Sequence, residues 1–68
     1  MQESDEDLKR SYWSASYHDE WYSGNNPGKQ KRLSEGAGEL RRKMRARGLD
    51  TTEIDQAVRD GKMPPFGN

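Results

Sequence analysis

The sequence has 68 residues, 28% hydrophobic and 35% charged, with acids and bases balanced to a formal net charge of zero. A chain this short forms one domain at most and has little apolar material for a core, so its composition points to a protein partner, a homodimer or a disordered segment more than to a self-sufficient globule. Cysteine is absent, which excludes disulfides and thiolate chemistry; no apolar run approaches the roughly 20 residues of a membrane span and the acidic start is unlike a signal peptide, so a soluble, cytoplasmic protein with no membrane partner is expected.

The zero sum conceals a polarity along the chain. Glu3, Asp5, Glu6 and Asp7 lead, whereas Lys29, Lys31, Arg32, Arg41, Arg42, Lys43, Arg45 and Arg47 crowd the middle. Such an arrangement lets one segment shield another, or marks an anionic partner for the basic part.

Ser4 followed by Asp5, Glu6 and Asp7 reads as a helix start, with a hydroxyl cap and negative charge where the helix dipole favours it. The predicted helix runs to about Tyr22. Leu8, Tyr12, Ala15 and Tyr22 fall on one side of it, and Trp13, Tyr17 and Trp21 follow each other four apart on the opposite side. The second stripe is either the aromatic part of a small core or a partner-binding face of Trp13, Tyr17 and Trp21. A strand is the competing reading, because Trp13, Ala15 and Tyr17 alternate within SYWSASY and aromatics favour strands.

Ser23 to Lys29, SGNNPGK, is turn chemistry and predicts a flexible Gly/Asn/Pro joint over 23–29. It does not make a phosphate loop: the glycine spacing is one residue short, Gln30 stands where Ser or Thr is needed, and no apolar strand precedes it. His18, Asp19 and Glu20 are metal-ligating types, but three adjacent helical residues do not converge on a point, so an exposed polar patch is expected.

From Gln30 to Arg47, Leu33, Ala37, Leu40 and Met44 recur at four, three and four, the seam of an amphipathic helix. Gly36 and Gly38 interrupt it, each costing about 1 kcal/mol relative to Ala. One long helix and a break near Gly36 are both compatible with this, and the glycines could also admit a second backbone. Gly48 suits the left-handed residue that closes a helix. Asp50, with Glu53 three residues on, forms a potential capping box for the next one. Gly61, Pro64 and Pro65 end that last helix, whose buried stripe would be Ile54, Ala57 and Val58, and Met63 and Phe66 could fold back over the turn. Residues 39–65 thus read as two helices joined by a tight turn.

The fold class expected is all-α: residues 1–22 as an acidic and aromatic helix, 23–29 as the joint and 30–68 as a basic, helix-turn-helix-like unit, in a single domain. The expected core is Leu33, Leu40, Met44, Leu49, Ile54, Val58 and Met63, overlaid by some of Tyr12, Trp13, Tyr17 and Trp21. With one His, no Cys and no evident carboxylate pair in an apolar pocket, no acid, base, nucleophile or cofactor site is visible and a non-enzyme is expected. Ser4, ahead of its acids, could also accept a phosphate from an acid-directed kinase.

The run Arg47 to Pro64, RGLDTTEIDQAVRDGKMP, resembles the helix-turn-helix of the excisionase, AlpA and MerR class, with Ile54, Val58, Arg59, Gly61, Lys62 and Pro64 at matching positions. The wing that follows in that family has no counterpart before Asn68. The stretch from 39 to 60 is also similar to one helical repeat of the RecX family, regulators of recombinase filaments, through Glu39, Leu40, Met44, Gly48, Ile54 and Val58. Both resemblances imply a DNA-associated role. In a helix-turn-helix the second helix enters the major groove, yet here it carries Glu53, Asp55 and Asp60, which phosphate would repel.

Two functions are therefore expected. The first is a small non-enzymatic regulator that binds nucleic acid, or a nucleic-acid-bound complex, through Arg41, Arg42, Arg45, Arg47 and Arg59. The second is a protein-interaction adaptor or inhibitor that uses the aromatic N-terminal helix. A basic helix face that is merely solvated would serve neither.

Overall fold

In the computed structural model, which describes residues 3–65, the chain forms α1 (Asp5–Glu20), α2 (Pro27–Ala46) and α3 (Thr52–Arg59), with no strand among the described residues. The all-α class follows from strong local signals at the helix ends. Ser4 accepts the N–H of Asp7 at 3.2 Å, and three acids occupy the first turn of α1. Leu8 and Tyr12, four apart, are both fully buried. That burial stabilises helix throughout SYWSASY and outweighs the alternation that favoured a strand there.

α1 stops at Glu20, two residues short of Tyr22. The joint after it is shorter than the 23–29 expected, because Asn26 caps α2 by accepting the Lys29 N–H at 3.2 Å and Pro27 takes the first helical position. Proline starts a helix there rather than breaking one, since that position's N–H would have no partner in the helix. α2 then runs unbroken through Gly36 and Gly38. A Cβ at either glycine would meet nothing within 4 Å, so within this chain neither admits a second backbone.

Two matching turns close α2 and α3. At Gly48, φ is +73°, and the N–H groups of Gly48 and Leu49 donate to the carbonyls of Arg45 and Met44 at 3.0 and 2.9 Å. At Gly61, φ is +68°, and the N–H groups of Gly61 and Lys62 donate to Val58 and Ala57 at 3.1 and 2.9 Å. Both are the double-bonded left-handed closure that glycine alone adopts without strain.

The start of α3 differs from expectation. The boundary residue is Thr51, and the Asp50 carboxylate instead accepts the N–H and hydroxyl of Thr52 at 3.0 and 2.8 Å. Those bonds hold the Asp50 carboxyl below its ordinary pKa. Asp50 stands too early for a capping box, so Glu53 remains exposed.

α1 and α2 form an antiparallel hairpin, pinned where Gln30 meets Asp19 at 2.7 Å, where Arg41 meets Tyr12 and where Arg47 meets Asp5 at 3.1 Å. α3 packs against α1, and no Cα of α3 comes within 8 Å of α2. The two C-terminal helices and their turn are present, but α1 is their shared floor. Leu8, Tyr12, Met44, Ile54 and Val58 make the core, with Trp13, Tyr17, Leu40 and Leu49 packed against it. Leu33 is half-buried. Met63, expected inside, is 78% exposed, because the turn at Gly61 brings Lys62, whose carbonyl accepts from Trp13 Nε1 at 3.3 Å, against α1 instead. Phe66 lies outside the described residues. No described helix is long and apolar enough to cross a membrane.

Candidate functional site

The five arginines singled out by sequence fall into two sets. Arg41 and Arg47 are committed within the fold. Arg41 lies beside the α2 seam, and its Nε and Nη2 donate to Tyr12 Oη at 3.0 and 2.6 Å. Nη2 also pairs with Asp55 at 3.1 Å. Tyr12 in turn donates to Asp55, which takes a further bond from the Thr51 hydroxyl at 3.1 Å. One fully buried phenol therefore joins all three helices. Burial, and then the bond to Asp55, push the Tyr12 hydroxyl above its ordinary pKa, and the bond to Tyr12 raises that of Arg41.

Arg47 is held at the other end of the hairpin. Its Nη1 donates to the Glu3 carbonyl at 2.8 Å and to Asp5 at 3.1 Å. The acidic first turn of α1 thus sits beside the basic end of α2, so the charge polarity of the sequence becomes partial shielding in the fold.

Arg42, Arg45 and Arg59 are exposed, and their side chains have no hydrogen bond or ion pair among the described residues. Helical spacing assembles a surface around the first two. Lys31 and Arg42 are eleven residues apart, as are Arg32 and Lys43, and eleven residues are close to three full turns. Two basic doublets therefore stand above one another on the outward side of α2, separated by about 16 Å at 1.5 Å per residue. Glu35 and Glu39 lie between them, and Arg45 borders the C-terminal doublet. Arg59 is apart from this surface. It lines a groove of about 460 Å³ bounded by all three helices, together with Tyr12, Ser16, Arg41 and Asp55.

The aromatic stripe lies across the end of α3. Tyr17 lies between Trp13 and Trp21, with ring centroids 5.1 and 6.1 Å away and the rings tilted at 35° and 34°. Trp13 Nε1 donates to the Lys62 carbonyl, and Trp21 Nε1 to the Val58 carbonyl at 2.8 Å. The indoles thus bracket the closing turn of α3: Trp21 adds a second donor to the Val58 carbonyl, which also accepts the Gly61 N–H, and Trp13 reaches the Lys62 carbonyl just beyond the helix. Trp13 and Tyr17 are partly buried by this packing, whereas Trp21 remains 52% exposed.

His18 is exposed, while Asp19 faces Gln30. Among the described residues no group of three His, Cys, Asp or Glu side chains is placed to hold a metal ion. Sequence reasoning missed the Tyr12, Arg41 and Asp55 cluster. Its one local signal was Asp55, an acid set among Ile54, Ala57 and Val58 on a helix of eight residues.

The chain matches no protein-family model, no curated protein and no solved structure.

Proposed function

We propose that this chain is a small non-enzymatic regulatory protein that associates with nucleic acid, or with a complex built on it, through the outward face of α2. The observation that carries this reading is that the exposed side chains of Arg42 and Arg45 have no hydrogen bond or ion pair among the described residues, and that they stand beside Lys43, three turns from a second basic doublet. Guanidinium and ammonium groups spaced along one helix face suit successive phosphates, where binding releases condensed counterions. Arg41 and Arg47 support that face from within the fold. Glu53 on α3 and Asp60 at its C-terminal cap are exposed, so the shorter helix is a poor reader of a groove. Contacts made by α2 to phosphate position a protein on nucleic acid without specifying sequence.

Fluorescence anisotropy with labelled duplex and single-stranded oligonucleotides tests the reading. Binding should weaken steeply with salt, and Arg42→Glu combined with Arg45→Glu should abolish it while the helical circular dichroism is retained. Absence of binding to either probe at low salt refutes the proposal. The competing reading, a protein partner recruited by the aromatic helix, predicts a pull-down that survives nuclease and is lost in Trp21→Ala.

A further inference from the structure

Trp21 combines two properties that do not ordinarily go together. Its Nε1 is anchored on the Val58 carbonyl at 2.8 Å, and its ring lies against the turn at Gly61, 3.4 Å from where a Cβ would stand. The side chain is therefore fixed in orientation, yet 52% of it is exposed. It borders a cavity of about 420 Å³ at the C-terminal end of α1, which Tyr17, Tyr22, Leu33, Lys29 and His18 also line. The volume lies within the range of small-molecule sites, roughly 300–1,000 Å³.

The lining has a definite chemistry. Aromatic and aliphatic side chains form the walls, and its titratable side chains besides tyrosine are Lys29 and His18, with no acid. Tyr22 is held in place by its hydroxyl, which accepts the Asn26 N–H at 3.2 Å, and Lys29 Nζ stands 5.8 Å from its ring centroid. Lys29 occupies the first turn of α2, which contains no acid, so the positive end of a 20-residue helix adds to its charge. A ligand that complements these groups is flat and aromatic on one side and anionic on the other. Helical spacing places Lys29, Arg32 and Lys43 along one flank of α2. A chain of phosphates leaving the cavity would meet further cations there.

We infer that this cavity is a nucleotide site for single-stranded nucleic acid: an unpaired base stacks on the exposed face of Trp21, and Lys29 takes the adjoining phosphate. The inference rests on the proposed nucleic-acid association and assigns it a strand type and a contact point. Stacking of a base on an aromatic side chain is tolerant of sequence, and its removal by truncation costs about 1–3 kcal/mol per base, roughly 5- to 150-fold in affinity. In a duplex the bases are already stacked and the site has nothing to receive.

The test uses Trp13→Phe, which leaves Trp21 as the sole indole, titrated separately with oligothymidylate, a duplex of equal length and thymidine monophosphate. Oligothymidylate should quench Trp21 emission to saturation, and the duplex should bind without quenching it. Trp21→Leu in the otherwise unchanged chain should weaken oligothymidylate binding at least about 5-fold by anisotropy. Lys29→Gln, which leaves every anchor of Trp21 in place, should weaken it as well and guards against misfolding of the Trp21 variant. If oligothymidylate binds but neither variant changes its affinity and Trp21 emission is constant, the cavity assignment falls while nucleic-acid association stands. If the monophosphate quenches and the oligonucleotide does not, the single-strand assignment is overturned. If no polymer binds at low salt, the underlying association fails with it.

Discussion

Replacing Tyr12 by Phe removes one oxygen atom from the centre of the molecule and leaves the ring packing intact. That oxygen donates to Asp55 and accepts from Arg41 at 3.0 and 2.6 Å. Hydrogen bonds to charged groups contribute about 1.5–3 kcal/mol each. The Asp55 and Arg41 side chains are 28% and 45% exposed and lie 3.1 Å apart, so in the variant they keep each other and recover water. The loss should therefore fall at the low end, about 1.5 kcal/mol. For a domain of this size about 1 kcal/mol corresponds to roughly 4–8 °C in Tm, so Tyr12→Phe should melt roughly 6–12 °C lower. Urea unfolding followed by helical circular dichroism measures it, and a shifted midpoint with an unchanged slope identifies a loss of stability. A further arm follows from proton linkage. The folded pKa of Tyr12 lies above the unfolded value of 10.0, so its contribution is complete below that pH and is lost as pH rises through the folded value. The gap between the parent chain and Tyr12→Phe should narrow in that alkaline range. A loss under about 0.5 kcal/mol at neutral pH would refute the role given to this hydroxyl.

The glycines divide cleanly. Gly36→Ala and Gly38→Ala should each stabilise by about 0.5–1 kcal/mol, because both lie within a continuous helix with open space around a Cβ. Gly48→Ala should destabilise by about 1–2 kcal/mol through its positive φ, and Gly61→Ala by at least as much, since its Cβ would also crowd Trp21. Thermal melts of the four variants check the opposite signs. Asp50→Ala should lower Tm at neutral pH; because the folded carboxyl titrates below its unfolded value of 3.8, this deficit should persist above that value and narrow as pH falls below it.

What could be read from the sequence was what is encoded locally. The cap at Ser4, the left-handed closures at Gly48 and Gly61 and the seam through Met44 each depend on residues within about one turn of one another. The pairing of elements was not legible in the same way. Tyr12 meets Arg41 and Asp55 across separations of 29 and 43 residues, and nothing near Tyr12 names those partners. The tight turn at Gly48 suggests α2 and α3 as a unit, whereas it is α1 that lies against both. Within the basic run, Arg41 and Arg42 are indistinguishable by composition. Their angular positions differ, since Arg41 follows Ala37 by four residues and so borders the seam while Arg42 points away from it, and the hairpin turns that difference into separate roles.

The measurement that tests this division most directly compares Arg42→Gln and Arg45→Gln with Arg41→Gln and Arg47→Gln, recording for each Tm and the slope of log affinity for single-stranded oligonucleotide against log salt. For the first pair the slope should fall by about 0.7 per residue removed, the value for a lost single-strand phosphate contact, with Tm unchanged. The second pair should lower Tm and keep the slope of the parent chain. Equal slopes in all four variants, or a slope lost with Arg41 and Arg47 and retained without Arg42 and Arg45, would contradict the assignment of the outward face of α2 to nucleic acid.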